Sequence, residues 1–164
     1  MAQPVAVLWP DRYEPRNCPV HVRNDLEMGA PQDHVWAWLV RATLWPTWYV
    51  NSANVQILEG GDPDLEKGTR FRWVTFGVKI TSEVLEYVPG ERIAYDAHAF
   101  GIDAYHAWLL LPTPKGCYVL TEETQHGWLV RFSNLFMPNR MHKFHQIWLE
   151  GLESKARSGL PPAV

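Results

Sequence analysis

The 164-residue chain is poor in cysteine, in long apolar runs and in clustered charge, and each shortage closes off a class of protein. Its two cysteines, Cys18 and Cys117, lack CxxC spacing, so neither a disulfide framework nor a cysteine zinc site is expected, and both are read as free thiols. The longest apolar run lies around Ala107 to Pro112, far short of the ~20 residues that span a bilayer. The N-terminal stretch MAQPVAVLWPDRYEPRN carries acidic residues and no extended apolar segment before a small-residue cleavage site. A cytoplasmic protein without stable membrane insertion is expected. Lysines and arginines are scattered and the formal net charge is −3, which removes the overall electrostatic footprint of a nucleic-acid or anionic-membrane binder. The GxxxxGK[ST], HExxH, GxSxG and GxGxxG patterns are also missing, so no cofactor is expected.

What the chain has in excess is aromatic side chains, 13% of residues with nine tryptophans, enough to ask whether all of them fill a core. The stretch HVWAWLVRATLWPTWYVN, His34 to Asn51, concentrates Trp36, Trp38, Trp45 and Trp48, the last two flanking Pro46. Pro31 suits the first turn of a helix whose apolar face is Val35, Trp38, Leu39 and Ala42, and Pro46 should separate it from a second short segment. Before it, VHVRNDLEM alternates as a strand with Val20, Val22 and Leu26 inward. After it come six strand-like segments, ANVQILEG, GTRFRWVTFG, VKITSEVLEYV, ERIAYDAHAF, IDAYHAWLLL and CYVLTEETQH, each ended by glycine or proline punctuation. Their short links permit only antiparallel neighbours, hence a meander. Met137, Met141, Phe144, Trp148 and Leu152 then follow helical spacing, with Pro138 either starting or kinking this long helix and Gly151 a weak point inside it. Residues 1–19, rich in proline, read as an irregular arm, docked through Val7, Leu8 and Trp9 or left free; residues 20–157 read as one domain and 158–164 as a flexible tail.

The order of strand, two short helices, six strands and a long C-terminal helix resembles the helix-grip fold of the START/Bet v 1-like, or SRPBCC, superfamily, which includes polyketide cyclases and dehydrases. The resemblance covers about residues 20–157 and is carried by APQDHVWAWLVRATLWPTW, GTRFRW, VLEYVPGERIAY, HAWLLLPTPKG and the EE of TEETQHG. It implies an α+β fold in which a curved antiparallel sheet of about seven strands wraps the long helix and encloses a cavity for apolar ligands. No catalytic residue is common to the superfamily, so none transfers with the resemblance.

Strand alternation nominates the walls of that cavity. Phe71, Trp73 and Thr75 take one face and Arg70 and Arg72 the other; Ile80, Ser82 and Val84 share a face, as do Ile93, Tyr95 and Ala97, and His106, Trp108 and Leu110. Thr75, Ser82 and Ala97 are small and should leave space. Trp45 and Trp48 are placed near the opening, with Trp36 and Trp38 as ordinary packing, and Met141, Phe144, His145 and Trp148 as the helical wall.

Glu122-Glu123 is the most informative polar pair, because adjacent strand residues face opposite ways and one acid must point inward. A buried carboxylate needs a partner, and His106 on the preceding strand can supply one. A six-residue connection from Pro112 to Cys117 sets His106 opposite Glu123, whereas a five-residue one sets it opposite Glu122; Glu123 is the favoured inward acid, leaving Glu122 to solvent. His142 and His145 are three apart on a helix, but no third ligand is evident and no metal is expected. His98 and His126 read as exposed strand residues. The expected activity is binding or transport of a small hydrophobic molecule, aromatic or lipid-like; the alternative is a cyclase, aromatase or dehydratase using His106, Glu123 or Tyr95 as proton-transfer groups.

Overall fold

In the computed structural model, which describes residues 6–163, the alternating segments become seven strands: β1 (Val20–Met28), β2 (Ala53–Glu59), β3 (Arg70–Thr75), β4 (Val78–Val88), β5 (Arg92–Ala99), β6 (Ile102–Thr113) and β7 (Gly116–His126). They form one antiparallel sheet in the order β1-β7-β6-β5-β4-β3-β2. Consecutive strands from β2 to β7 are neighbours because the links joining β3 through β7 are too short for any crossover, and β1 closes the sheet against β7. Irregular register between Val84 and Glu86, and twice within β2, bends the sheet into a trough.

Three α-helices fill or flank that trough: α1 (Gln32–Val40), α2 (Trp128–Phe136) and α3 (Arg140–Arg157). The α1 helix buries Val35, Trp38, Leu39 and Val40, and a 3-10 helix over Ala42–Thr47 contains Pro46. Pro138 lies in the break between α2 and α3, so the C-terminal helical region is two helices rather than one long one. Gly151 has a packing role, since a Cβ there would meet the Trp48 carbonyl oxygen at 2.8 Å. The α3 helix presents His145, Trp148, Leu149, Leu152 and Ala156 to the core.

The tryptophan-rich segment mostly fills. Trp45 is fully buried, edge-on to Phe71, Trp73 and Trp148, and its Nε1 donates to the Leu39 carbonyl. Trp148 in turn stacks on Tyr49 at 4.4 Å. Burial of this kind is worth roughly 2–3 kcal/mol per large ring before entropy is counted.

The arm covers the convex side of the sheet. Its first five residues, and Val164 of the tail, lie outside the described residues. From Ala6 on, Val7 and Tyr13 are buried with Ala94, Tyr105 and Ala107, Trp9 packs beside them and Leu8 faces outward. Tyr13 stacks on Tyr105, donates its hydroxyl to Asp103 at 2.6 Å, and accepts at its carbonyl from Thr124. This covering explains why β5 to β7 are buried on both faces where simple alternation predicts one. The tail is tied rather than free: Trp38 Nε1 donates to the Gly159 carbonyl and Arg41 to that of Pro162.

Candidate functional site

Between the concave sheet, α2 and α3 lies a cavity of about 260 Å³. Its space comes partly from small side chains: Ala97 and Ala104 face each other across β5 and β6, and Thr75 stands at the end of β3; all three line it. Ser82, the other small residue assigned inward, does not, because its hydroxyl accepts from Trp73 Nε1 at 3.3 Å.

Of the ring and sulfur residues expected to line the cavity, Trp73, Tyr95, Met141 and Trp148 do, together with His106, Glu123 and His145. Trp45, Trp48, Phe71, Trp108 and Phe144 do not. Trp45 and Phe71 pack against each other in the core. Trp108 stacks beneath His106, centroids 5.1 Å apart, and so forms a second layer. Trp48 is half-buried over Gly151. Phe144 is half-buried against Phe76, which takes the lining position instead. Alternation identified the face of each strand but not the depth of each ring on it. Tyr49, Gln125 and the α2 residues Leu129, Val130, Ser133 and Asn134 also line the space and were not anticipated.

The register places His106 opposite Glu123, as the longer connection requires. Glu123 is the only acidic residue among the described lining residues. Its Oε2 accepts from His145 Nε2 at 3.0 Å and lies 3.4 Å from His106 Nδ1, while Oε1 accepts from Gln125 at 2.5 Å. His106 Nε2 meets Thr121 Oγ1 at 2.7 Å and Nδ1 is 3.4 Å from the Tyr95 hydroxyl. The two imidazoles lie nearly parallel, 4.8 Å apart. The helical pair His142 and His145 does not act together, since His142 is exposed. The third donor that the sequence did not supply comes from the sheet: His106, Glu123 and His145 each offer one ligand atom within 4.8 Å of the others. This nitrogen and oxygen set could hold a divalent ion, and the same atoms satisfy one another by hydrogen bonds.

Burial dictates the protonation of this cluster. It drives the pKa of His106 down to about 3, against the pull of Glu123, so the imidazole is neutral. For Glu123 burial would raise the pKa, but the hydrogen bonds it accepts from His145 and Gln125 help to outweigh it, and the carboxyl lies below its ordinary value. Burial pushes the Tyr95 phenol well up. Two buried nitrogens of lining residues, His145 Nδ1 and Trp148 Nε1, have no hydrogen-bond partner in the protein.

Glu122 departs from expectation. It faces the convex side yet is 5% exposed, because His21 and Arg23 of β1 clamp it at 2.7 and 3.0 Å. His98 is exposed and pairs with Asp96 and Asp103, and His126 is half-buried beside Cys18 and the Arg12 carbonyl. Both cysteines are free.

Residues 19–157 match the family model described as polyketide cyclase/dehydrase and lipid transport. No curated protein is similar in sequence. A hypothetical protein from Helicobacter pylori, jhp0584, is 30% identical with a TM-score of 0.86, over 96% of this chain and 99% of its own. The di-domain aromatase/cyclase StfQ of the steffimycin biosynthetic pathway is 16% identical with a TM-score of 0.70, over 87% of this chain and 52% of its own. Ara h 8.0201 is 12% identical with a TM-score of 0.62, over 85% and 99%. The last two likenesses concern the fold alone.

Proposed function

Since the chain belongs to the polyketide cyclase/dehydrase and lipid-transport family, we propose that its cavity binds one small, largely apolar molecule and orients it through an oxygen-bearing group at the Glu123–His145 end. The observation that carries this reading is a space of about 260 Å³ with aromatic and aliphatic walls around one buried acid–histidine cluster. Size narrows the ligand. An apolar cavity of about 150 Å³ accepts benzene, so this one suits a molecule of about two fused rings, and an aromatic ligand fits better than a lipid with two acyl chains. The unpartnered Trp148 indole N–H favours a ligand oxygen that accepts, and the unpartnered His145 Nδ1, an acceptor in a neutral ring that donates through Nε2, favours a ligand hydroxyl; each buried polar group left unpaired costs about 1–3 kcal/mol.

Protonation supports binding over turnover. A general acid or base works best with a pKa near the operating pH, whereas His106 is held near 3, Glu123 low and Tyr95 high. The group best placed to orient a ligand is thus badly poised to exchange protons with it. The test is a titration with two-ring apolar fluorophores, with and without a carbonyl or hydroxyl, read by tryptophan quenching. One saturable site with tighter binding of the oxygenated probes is expected. Absence of saturation across the panel would end the proposal, and chemical conversion of a bound aromatic or polyketide-like compound would replace it with the cyclase or dehydratase reading.

A further inference from the structure

The helix that roofs the cavity is amphipathic with its apolar stripe facing out. Leu129, Val130, Ser133 and Asn134 of α2 line the cavity. On the opposite side Trp128, Phe132, Leu135 and Phe136, spaced as one helical stripe, are 60–74% exposed. Phe100 at the β5–β6 turn, 86% exposed, meets Trp128 edge-on at 5.8 Å, and Phe132 meets Phe136 at 4.9 Å. Gly127 permits this junction: its backbone has φ 113°, and a Cβ there would meet the Gly101 carbonyl oxygen at 2.1 Å. A monomer rarely leaves so many large apolar groups contiguous and uncovered.

Charge identifies what covers them. From Thr124 to Leu149 the sequence has no aspartate or glutamate, and it carries Arg131, Arg140 and Lys143. Arg131 and Lys143 are exposed, and Arg140 lies over the Phe76 ring at 4.3 Å beside the cavity. The net charge of −3 conceals this local excess of cations. A second copy would set like charges face to face, whereas an anionic lipid surface matches both the cations and the rings.

We infer that the outer face of α2, with the Phe100 turn, docks peripherally on anionic phospholipid bilayers and brings the cavity roof to the lipid interface. Among the described residues no helix is long and apolar enough to cross a membrane, so the contact is interfacial.

The full chain, without added ligand, is sedimented with vesicles of phosphatidylcholine alone and of phosphatidylcholine mixed with phosphatidylglycerol. Binding to the anionic vesicles only, weakened by salt, is expected. The double substitution Arg131→Gln/Lys143→Gln should weaken it about 30-fold, at roughly fivefold per basic residue. Phe132→Ser/Phe136→Ser should abolish it, and Phe100→Ser should weaken it; Val88→Ser, at the β4–β5 turn on the other end of β5 from Phe100, should leave it unchanged. All these side chains are exposed, and circular dichroism checks the fold of each variant. Equal binding to neutral vesicles, binding insensitive to both double substitutions, or no vesicle binding together with a dimer that Phe132→Ser/Phe136→Ser dissolves would overturn the inference. The vesicle assay needs no occupied cavity, so its failure and that of the ligand titration are read separately.

Discussion

Glu122 and Glu123 are sequence neighbours with similar exposure, 5% and 8%, yet they sit in opposite electrostatic settings. Glu122 faces the convex side, where half-exposed Arg23 and His21 hold it. Glu123 faces the cavity, where its partners are His145 and His106, both about 2% exposed, and Gln125. The outer acid is buried, but its partners His21 and Arg23 reach water and keep part of their solvation. The inner acid depends on buried donors and stands beside space a ligand can enter. Equal burial therefore conceals a structural carboxylate and a candidate ligand-orienting one.

The largest expected effect tests whether the inner region is packed core as well as binding wall. Trp148→Ala should cost about 3–5 kcal/mol in urea unfolding, because its ring touches Trp45, Tyr49, Trp73 and Trp108. Half-buried Phe144→Ala should cost only about 1 kcal/mol. Equal losses would erase the distinction between wall and rim.

Next in size is a pH effect. His106 is neutral in the fold down to about pH 3, while the unfolded chain takes up its proton near pH 6.5. Between those values the unfolded state binds more protons, so stability falls as pH falls, by about 2 kcal/mol from pH 6.5 to 5. Glu123, with its depressed folded pKa, contributes stability that is lost only at lower pH, as its folded carboxylate protonates, so the upper window isolates the imidazole. His106→Gln should flatten the pH dependence of unfolding there. The same slope in wild type and His106→Gln would contradict the burial account.

The sharpest contrast is smaller still. Glu123→Gln should weaken an oxygenated two-ring probe by about tenfold, the worth of one charge-assisted hydrogen bond. Glu122→Gln, on the convex side, should leave affinity within about twofold.

Much of the fold was legible because strand alternation and Gly/Pro punctuation act locally: the seven strands and their meander follow from neighbouring residues. The break after the first helix was misplaced, since α1 ends at Val40 and Pro46 lies inside the 3-10 helix Ala42–Thr47 rather than before it. The pairing of His106 with Glu123 was legible as one of two registers, since only the length of a hairpin link separated them. What stayed hidden depends on distant packing. The arm converts the convex face of β5–β7 into a second core, which single-strand patterns do not encode. Trp108 sits on the expected face but behind His106, Trp45 is fully buried in the core rather than near the opening, and the approach of His145 to the sheet needs the placement of α3. The stripe of α2 resembles a core stripe in sequence, and only the structure shows that its outer side is bare.

The central claim is that the space beside Glu123 is a ligand site, and native mass spectrometry of freshly purified protein tests it most directly. Wild type is compared with Ala97→Phe, which fills the gap between β5 and β6. A small apolar compound retained by wild type, extractable by solvent and missing from a folded Ala97→Phe protein, is the predicted result. A wild-type protein that carries nothing and binds no member of an oxygenated two-ring panel, or an Ala97→Phe protein that binds as well as wild type, would contradict it.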